Sequence, residues 1–311
     1  MCTIAVAGGT GGVGRAIVEQ LQLGGKHNFV VLGRKPPTNP APNAATFLQV
    51  RYDDVDSLTK LLEDNGIQTV ISALNLESEQ ASNSQINLIA AADKSRVTKR
   101  FIPSEFFNPI DKENIREAFG EQFRLASQLA LEKSGLQYTR IFAGVFMDYW
   151  AMPHVHSYLA PFSPGIDMSL KKAVVPGSGN DVFTVTYSID LARFIVRLLD
   201  EETWPKTAPV SGSDVTFNEV IALVEKTLGS KFEVIYDDVD KLKRGEATVL
   251  SSMDATDGFP EHILKQMTAE FGLMVVSGNC GLSREGRLND QFPEIHVSTL
   301  EELLTKAWAG K

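Results

Sequence analysis

Three glycines at intervals of three residues, Gly8, Gly11 and Gly14, separate an apolar run from an amphipathic segment. Glycine permits a tight strand-to-helix turn and lets the backbone approach a phosphate group closely. The first N–H groups of the following helix and the positive end of its dipole then attract an anion. The pattern indicates a pyrophosphate site, although a purely structural glycine turn is the alternative. The residues we assign to this loop are Gly8, Thr10, Gly11, Gly12, Val13 and Gly14.

The end of the second predicted strand indicates which dinucleotide the loop prefers. Enzymes that use NAD usually place Asp or Glu about 20 residues after the glycines, where it binds the ribose 2′-hydroxyl. This chain has Gly33-Arg34-Lys35 instead, with no carboxylate nearby. Two cations suit a 2′-phosphate, and the guanidinium of Arg34 can bind it through two hydrogen bonds. The pair favours NADP(H) over NAD; an ordinary solvated basic loop is the alternative.

Two later strand ends are expected at the same crevice, because ligands bind beyond the carboxyl ends of parallel strands. Asp53 follows the third strand and either approaches the adenine or caps the next helix. Three residues after the fourth strand are expected near the phosphates or the nicotinamide ribose: Ser72, Ala73 and Leu74.

Candidates for catalysis follow the fifth and sixth predicted strands. Glu105 is a general acid or base if burial raises its pKa, or otherwise a structural carboxylate. Tyr149 is a proton donor or part of an aromatic wall. Arg124 anchors a substrate oxygen or the nicotinamide region, or it is a surface arginine that pairs with Glu121 or Gln128. The residues expected to line the substrate site are Ser104, Phe106, Phe107, Gln128, Phe146, Trp150 and His154.

The elements that position these residues alternate along the first 145 residues, as in βαβ units. The predicted strands are Thr3–Ala7, Phe29–Leu32, Thr46–Val50, Thr69–Ser72, Arg100–Ile102 and Tyr138–Phe142. The predicted helices between them are Val13–Leu23, Val55–Leu62, Ser84–Ala92 and Asn114–Lys133. Later helices are expected at Leu191–Leu199, Phe217–Leu228 and Leu300–Trp308, with Asp190, Thr216 and Ser298 as their respective N-caps.

We therefore predict an α/β fold with a Rossmann-type, doubly wound parallel sheet and a smaller C-terminal α/β lobe. Residues 1–150 form the NADP-binding domain and residues 151–311 the substrate lobe, with some segments returning to the core. The chain has 311 residues, of which 43% are hydrophobic, which is enough for a sizeable core. Its net charge of −9 argues against nucleic-acid binding, since no basic footprint is visible.

The two cysteines, Cys2 and Cys280, form no CxxC pair and no zinc-ligand spacing, so two reduced thiols are expected. The H-x-H pair of His154 and His156 lacks a third ligand, and we expect no metal. The sequence shows neither a secretory signal nor a run of about 18 apolar residues. We expect a cytoplasmic protein that binds a small molecule and no membrane; homodimer formation stays open.

Five ordered motifs carry a family resemblance: VAGGTGGVG, LGRKP, VISAL, KRFIPSEF and SGLQYTRIFAGVFMDYW. Together they resemble the NmrA-like, isoflavone reductase-like group of atypical short-chain dehydrogenases. The similarity runs from residue 3 to about residue 200, and the tail FPEIHVSTLEELLTKAW also resembles the closing segment of this family. The resemblance implies a Rossmann core, a small C-terminal lobe and NADPH-linked reduction of small, often aromatic, secondary metabolites.

The chain departs from the family at two positions. No tyrosine is followed by lysine four residues later, as expected of an atypical member. The lysine that isoflavone-type reductases carry on the helix after PSEF falls on Arg124, which is a poor proton shuttle but a good electrostatic clamp. Phe107 replaces the glycine that usually follows PSEF.

Three functions follow. The first is NADPH-dependent reduction of a C=O, C=N or C=C bond in a small aromatic or alkaloid-like metabolite. The second is a non-redox reaction, such as ring closure onto an imine, in an enzyme that keeps NADP bound; the missing lysine supports it. The third is a redox-sensing regulator, which some relatives are. The aromatic segment between Phe146 and Phe162 favours a walled substrate pocket and argues against the third.

Overall fold

The computed structural model describes residues 2–38, 45–117, 120–250 and 260–311. The chain divides into two compact units. The first unit comprises Met1–Phe106, Lys112–Ile141 and Ala192–Ala208, and the second comprises Phe107–Asp111, Phe142–Leu191 and Pro209–Lys311. Residues 142–150 thus lie in the second unit and residues 192–208 in the first; the predicted boundary was residue 150, with some later segments returning to the core.

Six strands form a parallel sheet in the described part of the first unit, in the order β3-β2-β1-β4-β5-β6. They are β1 (Thr3–Ala7), β2 (Asn28–Gly33), β3 (Thr46–Gln49), β4 (Thr69–Ser72), β5 (Arg100–Ile102) and β6 (Gln137–Tyr138). The helices are α1 (Gly12–Gly24), α2 (Val55–Asp64), α3 (Glu79–Lys94) and α4 (Glu121–Glu132). This order is that of the doubly wound dinucleotide-binding fold, which confirms the predicted fold class.

The centre of the sheet carries the core of the first unit. Ile4–Ala7 in β1 and Phe101 in β5 are fully buried, as are Leu58 and Leu62 on α2. Each fully buried aliphatic side chain contributes about 1.5–3 kcal/mol relative to an exposed one. A central parallel strand is covered on both faces, which explains why β1 is a continuous apolar run rather than an alternating one.

Two predicted elements are shorter than the sequence pattern indicated. Helix α4 begins at Glu121, not at Asn114, because Gly120 adopts a left-handed φ of 61° that interrupts the helical path; residues 118 and 119 lie outside the described part. The predicted strand Tyr138–Phe142 breaks at Thr139. Its second half forms a separate strand, in which the amide of Arg140 donates to the carbonyl of Lys206.

The second unit contains two small three-stranded sheets among its described residues, ordered β14-β10-β9 and β13-β11-β8. The remaining strands of the described residues are β7 (Arg140–Phe142), β8 (Val145–Phe146), β9 (Ile166–Asp167), β10 (Lys172–Pro176), β11 (Phe183–Thr186), β12 (Thr207–Pro209), β13 (Ser213–Val215) and β14 (Glu233–Asp237). The remaining helices in this part of the chain are α5 (Asp148–Ala151), α6 (Ser188–Leu198), α7 (Phe217–Leu228), α8 (Val239–Lys243), α9 (Glu261–Val276), α10 (Leu288–Gln291) and α11 (Leu300–Trp308). In the described ranges, no helix combines the length and the apolar content that a membrane span requires.

The N-caps of the later helices confirm one prediction and correct two. Thr216 caps α7 in a full capping box with Glu219, as predicted. The cap of α11 is Thr299, not Ser298. Helix α6 begins at Ser188, so Asp190 lies in its first turn and is not its cap. The carboxylate of Asp190 instead accepts a 2.7 Å hydrogen bond from the amide of Ser298. The two residues that were wrongly predicted as caps therefore bond to each other.

Candidate functional site

The backbone packs so closely around the glycine loop that two of its positions have no room for a side chain. Gly8 has a φ of 77°, and a Cβ atom there would lie 2.5 Å from the carbonyl oxygen of Ala73. A Cβ atom at Gly14 would collide with the carbonyl oxygen of Gly8. These two glycines are therefore required by the turn and by the close approach of α1 to the loop.

The other side of the loop is open. A Cβ atom at Gly11 would meet nothing within 4 Å, and Thr10 and Gly11 are exposed. Gly11 is the N-cap of α1 and provides no side-chain hydrogen bond, and the first turn contains no acidic residue. Because the first N–H groups of a helix lack intrahelical acceptors, the half-buried Gly12 and Val13 begin a helix end that suits an anion. The predicted loop thus fits a pyrophosphate.

Arg34 and Lys35 follow β2 as exposed cations. Within the described ranges, neither forms a salt bridge with a carboxylate. The turn itself is fixed, because the side-chain amide of Gln49 donates a 3.0 Å hydrogen bond to the carbonyl of Arg34. Tyr52 is buried beside it and donates to the carbonyl of Leu32; burial raises the pKa of its phenol, although the charge of Arg34 acts in the opposite direction.

The structure shows which of the two acidic residues after β3 caps α2. Asp54 caps α2, since its carboxylate accepts a 2.9 Å hydrogen bond from the amide of Ser57. Asp53 is not the cap; it is exposed and pairs with Arg51 at 3.5 Å. Of the two roles considered for Asp53, contact with the adenine is therefore the one that stays open.

Ser72, Ala73 and Leu74 differ in what they expose at the end of β4. Ser72 is fully buried, and its Oγ atom has no hydrogen-bond partner among the described residues. Its side chain is therefore packed within the protein and does not present a hydroxyl to a nucleotide. Ala73 and Leu74 are half-buried, and the amide of Ala73 donates a 2.8 Å hydrogen bond to the carbonyl of Ala7, which fixes this strand end against β1.

Glu105 is almost completely buried after β5, with 1% of its side chain exposed. Its Oε2 atom accepts a 2.7 Å hydrogen bond from Nε of Arg140. Burial raises the pKa of the Glu105 carboxyl, and the charges of Arg140 and then Arg124 oppose that shift. The geometry favours a structural carboxylate held by an ion pair over a freely exchanging acid.

Arg124 is buried on α4 and is not a surface arginine. Its Nη2 atom lies 3.6 Å from Oε1 of Glu121, and the same oxygen lies 3.1 Å from Nη1 of Arg116. Burial lowers the pKa of Arg124, while Glu121 and then Glu105 raise it. Arginine remains protonated in proteins, so this side chain is a fixed charge.

These ion pairs of the first unit involve five charged side chains: Arg116, Glu121, Arg124, Glu105 and Arg140. Together the five side chains carry three positive and two negative charges, so the group has a net charge of +1. Neither Arg116 nor Arg140 is among the site residues predicted from the sequence. A buried carboxylate needs a partner that offsets the loss of solvation, but the partner of Glu105 lies 35 residues further along the chain and no local pattern points to it.

Other residues predicted to bind substrate in the first unit are half-buried or buried. Ser104 donates through its amide to the side chain of Gln85 at 3.0 Å. Gln128 is buried and donates a 2.8 Å hydrogen bond to Glu132. Phe106 is 8% exposed. Gln128 shares a helix face with Arg124 at a spacing of four residues, as predicted from the sequence.

In the second unit, Tyr149 is the centre of an aromatic cluster. Its ring meets those of Phe146 and Phe162 edge to face, with centroids 6.4 and 5.4 Å away. Trp150, by contrast, is fully buried against Phe183, so its ring belongs to the core and not to an accessible pocket wall.

Two further predicted substrate residues belong to the second unit. His154 is exposed, and its ring meets that of Trp308 edge to face at 4.6 Å. Phe107 is half-buried, and its carbonyl accepts hydrogen bonds from the amides of Ala143 and Gly144 at 3.2 and 3.1 Å. Within the described ranges, no group of three or more His, Cys, Asp or Glu side chains could hold a metal.

Comparison with known proteins gives consistent matches across the chain. The family model described as the NmrA-like family matches residues 2–302. The sequence is 32% identical to oxidoreductase swnN of Metarhizium robertsii over 100% of this chain and 98% of that protein. It is 35% identical to oxidoreductase BOA1 of Botryotinia fuckeliana over 75% and 78%, respectively. The fold matches a leucoanthocyanidin reductase–NADPH complex from Vitis vinifera with a TM-score of 0.74 and 19% identity, over 98% of both chains.

Proposed function

The chain belongs to the NmrA-like family of oxidoreductases, and we propose that it uses NADPH to reduce a small aromatic or alkaloid-like secondary metabolite. The reduced bond is C=O, C=N or C=C. The observation that carries the proposal is the open end of α1 at Gly11, combined with the exposed cations Arg34 and Lys35 one strand later. The related reductase whose complex contains NADPH supports the choice of nucleotide.

The residues of the first unit have distinct roles in this proposal. The amides of Gly12 and Val13 bind the pyrophosphate, because they begin a helix without a side-chain cap or an acidic residue. Arg34 and Lys35 bind the 2′-phosphate, and Arg34 suits it best because its donors are planar and paired. NADPH, when bound, supplies the hydride.

Arg124 has an electrostatic role in the proposed reaction. It is buried, remains charged and is held by Glu121, so it stabilises negative charge that develops on a substrate oxygen or nitrogen. Glu105 belongs to the same buried set of charges and has a positioning role through Arg140. Because neither arginine exchanges protons near neutral pH, the proton has to come from a group other than Arg124 or Arg140.

A second candidate function rests on Arg124, which stands where isoflavone-type reductases carry a lysine. Arginine at this position removes one route for proton transfer but leaves the proposed nucleotide site intact. An enzyme of this kind could keep NADP bound and carry out a non-redox reaction such as ring closure onto an imine. A nucleotide-binding regulator without turnover is the remaining alternative.

The experiment that tests the proposal combines binding with turnover. Calorimetry with NADPH should give a saturable signal. Incubation with a panel of aromatic and imine-containing metabolites should consume NADPH, as measured by the absorbance of the reduced nicotinamide. Product without NADPH consumption would select the non-redox candidate, and binding without any product would select the regulator.

A matched pair of glycine variants tests the location of the nucleotide. Gly11→Ala adds a methyl group to the open space before α1, whereas Gly24→Ala adds one at the far end of the same helix, where there is also nothing within 4 Å. We expect Gly11→Ala to weaken NADPH binding about tenfold or more, and Gly24→Ala to leave it unchanged. Both should retain the far-ultraviolet circular dichroism of the parent. Equal affinities would contradict the proposed site.

A further inference from the structure

Cys2, His27 and Asp200 meet at the end of the parallel sheet that lies opposite the glycine loop. Cys2 precedes β1, His27 precedes β2 and Asp200 follows α6; all three belong to the first unit. The five residues of β1 separate Cys2 from Gly8, which at about 3.3 Å per residue places this cluster roughly 17 Å or more from the proposed nucleotide site. It is therefore a second and independent arrangement of reactive groups.

The three side chains form an ordered chain of contacts. Sγ of Cys2 lies 3.4 Å from Nδ1 of His27, and Nε2 of His27 lies 3.1 Å from Oδ1 of Asp200. A carboxylate only accepts hydrogen bonds, so Asp200 places the proton of a neutral His27 on Nε2. Nδ1 is then left as an acceptor and faces the thiol. Only 7% of the His27 side chain is exposed, so the ring has little freedom to leave this position.

We propose that Cys2 is a nucleophilic thiol, with His27 as its general base and Asp200 as the group that orients the base, and that it forms mixed disulfides with small disulfides. Nδ1 of His27 takes the thiol proton as the sulfur attacks one sulfur of the small disulfide. The old S–S bond breaks and a new S–S bond to Cys2 forms. The released thiolate recovers the proton from His27. Cys2 is oxidised, and half of the small disulfide is reduced to a thiol.

The charges around the thiol explain why the base is needed. Burial raises the pKa of the Cys2 thiol, and the charge of Arg100 only partly opposes this. Arg100 is held by the carbonyls of Leu199 and Glu201, and Lys26 lies 2.7 Å from the second oxygen of Asp200. Because a protonated thiol reacts slowly, its reactivity depends on transfer of the proton to His27.

The chain itself provides an internal reference for a modification experiment. Cys280, the other cysteine, is fully buried in the second unit. Oxidised glutathione should therefore add one glutathione to Cys2 of the folded full-length protein and none to Cys280, as determined by mass spectrometry of peptides. Both cysteines should react after denaturation.

Three variants separate the general base from a change in accessibility. We expect His27→Gln to slow the reaction about tenfold or more, because a general base contributes at least this much. Asp200→Asn should slow it several-fold, because the orientation of His27 weakens. Lys26→Gln is the matched control: it removes a charge from the same carboxylate but leaves the Cys2–His27 contact, so its rate should stay within about twofold of the parent.

The pH dependence of the rate gives a second readout. In His27→Gln no imidazole takes up the thiol proton, so the rate should rise only at the higher pH at which the Cys2 thiol ionises, and the parent should react faster below that pH. The proposal is overturned if Cys2 forms no adduct or if His27→Gln keeps the parental rate and profile. Should His27→Gln fail to fold, equal rates for Asp200→Asn and Lys26→Gln would overturn it as well. None of these results bears on NADPH binding, so this proposal and the proposed function fail separately.

Discussion

Nε of Arg140 donates a 2.7 Å hydrogen bond to Oε2 of Glu105, and these side chains are only 12% and 1% exposed. Removing one partner of such a buried pair leaves the other charge in a poorly solvated environment. The pair joins the loop after β5 to the first residue of β7. It therefore holds two strand ends of the first unit in place.

Glu105→Gln should lower the free energy of unfolding by about 3 kcal/mol or more, because it leaves Arg140 without its counter-charge. Denaturation in urea measures the change. Glu132→Gln is the matched control: Glu132 is 40% exposed and pairs with Lys112, so its loss should cost less than about 1 kcal/mol. Similar costs for the two variants would show that the Glu105 pair does not have the predicted importance for stability.

Thr299→Ala should destabilise the protein by about 1 kcal/mol, because Thr299 caps α11 and forms a capping box with Glu302. Ser298→Ala is the matched comparison, because the sequence predicted Ser298 as the cap of this helix. The backbone amide of Ser298 donates to Asp190, and alanine retains that amide. Thermal unfolding should therefore show a loss for Thr299→Ala and little change for Ser298→Ala. The opposite ranking would mean that the cap is at residue 298.

Asp214 should make stability depend on pH in the acid range. Burial tends to raise the pKa of its carboxyl, but hydrogen bonds from Arg287 and Thr184 outweigh burial and hold the pKa below its ordinary value. A carboxylate with a depressed folded-state pKa stabilises the fold above its unfolded pKa, which is about 4. That contribution is lost as the pH falls through about 4 towards the folded-state pKa.

The free energy of unfolding of the parent should therefore decrease between about pH 5 and pH 3, and Asp214→Asn should show a shallower decrease. Urea denaturation at a series of pH values measures this slope. Asp64→Asn serves as the control, since Asp64 is 57% exposed and forms an ordinary pair with Lys60. Equal slopes for the parent and Asp214→Asn would argue against the prediction.

Arg34→Ala should distinguish the two nicotinamide nucleotides. If Arg34 binds the 2′-phosphate, its loss should raise the Kd for NADPH about tenfold or more and that for NADH less than about threefold. Arg51→Ala is the control, because Arg51 is another exposed cation after the neighbouring strand and pairs with Asp53. Calorimetry gives all the constants. An equal effect of Arg51→Ala would indicate a general charge effect rather than recognition of the phosphate.

The sequence alone determined those features that depend on neighbouring residues in the chain. Strand β1 occurs at Thr3–Ala7 as predicted, the helix after the glycines begins within one residue of the prediction, and Thr216 caps α7. The order of apolar runs and helical segments was also sufficient to predict the parallel sheet. These features are encoded locally, because turns, caps and periodicity depend on residues within a few positions of one another.

Only the tertiary structure decided which distant groups meet. The pairing of Glu105 with Arg140 and the contact of His27 with Asp200, 173 residues away, depend on which strand ends lie side by side. The same is true of Trp150, whose aromatic type fits a pocket wall and a core equally well until its neighbours are known. Burial and long-range pairing are properties of the packed chain, and a single sequence carries no local signal for them.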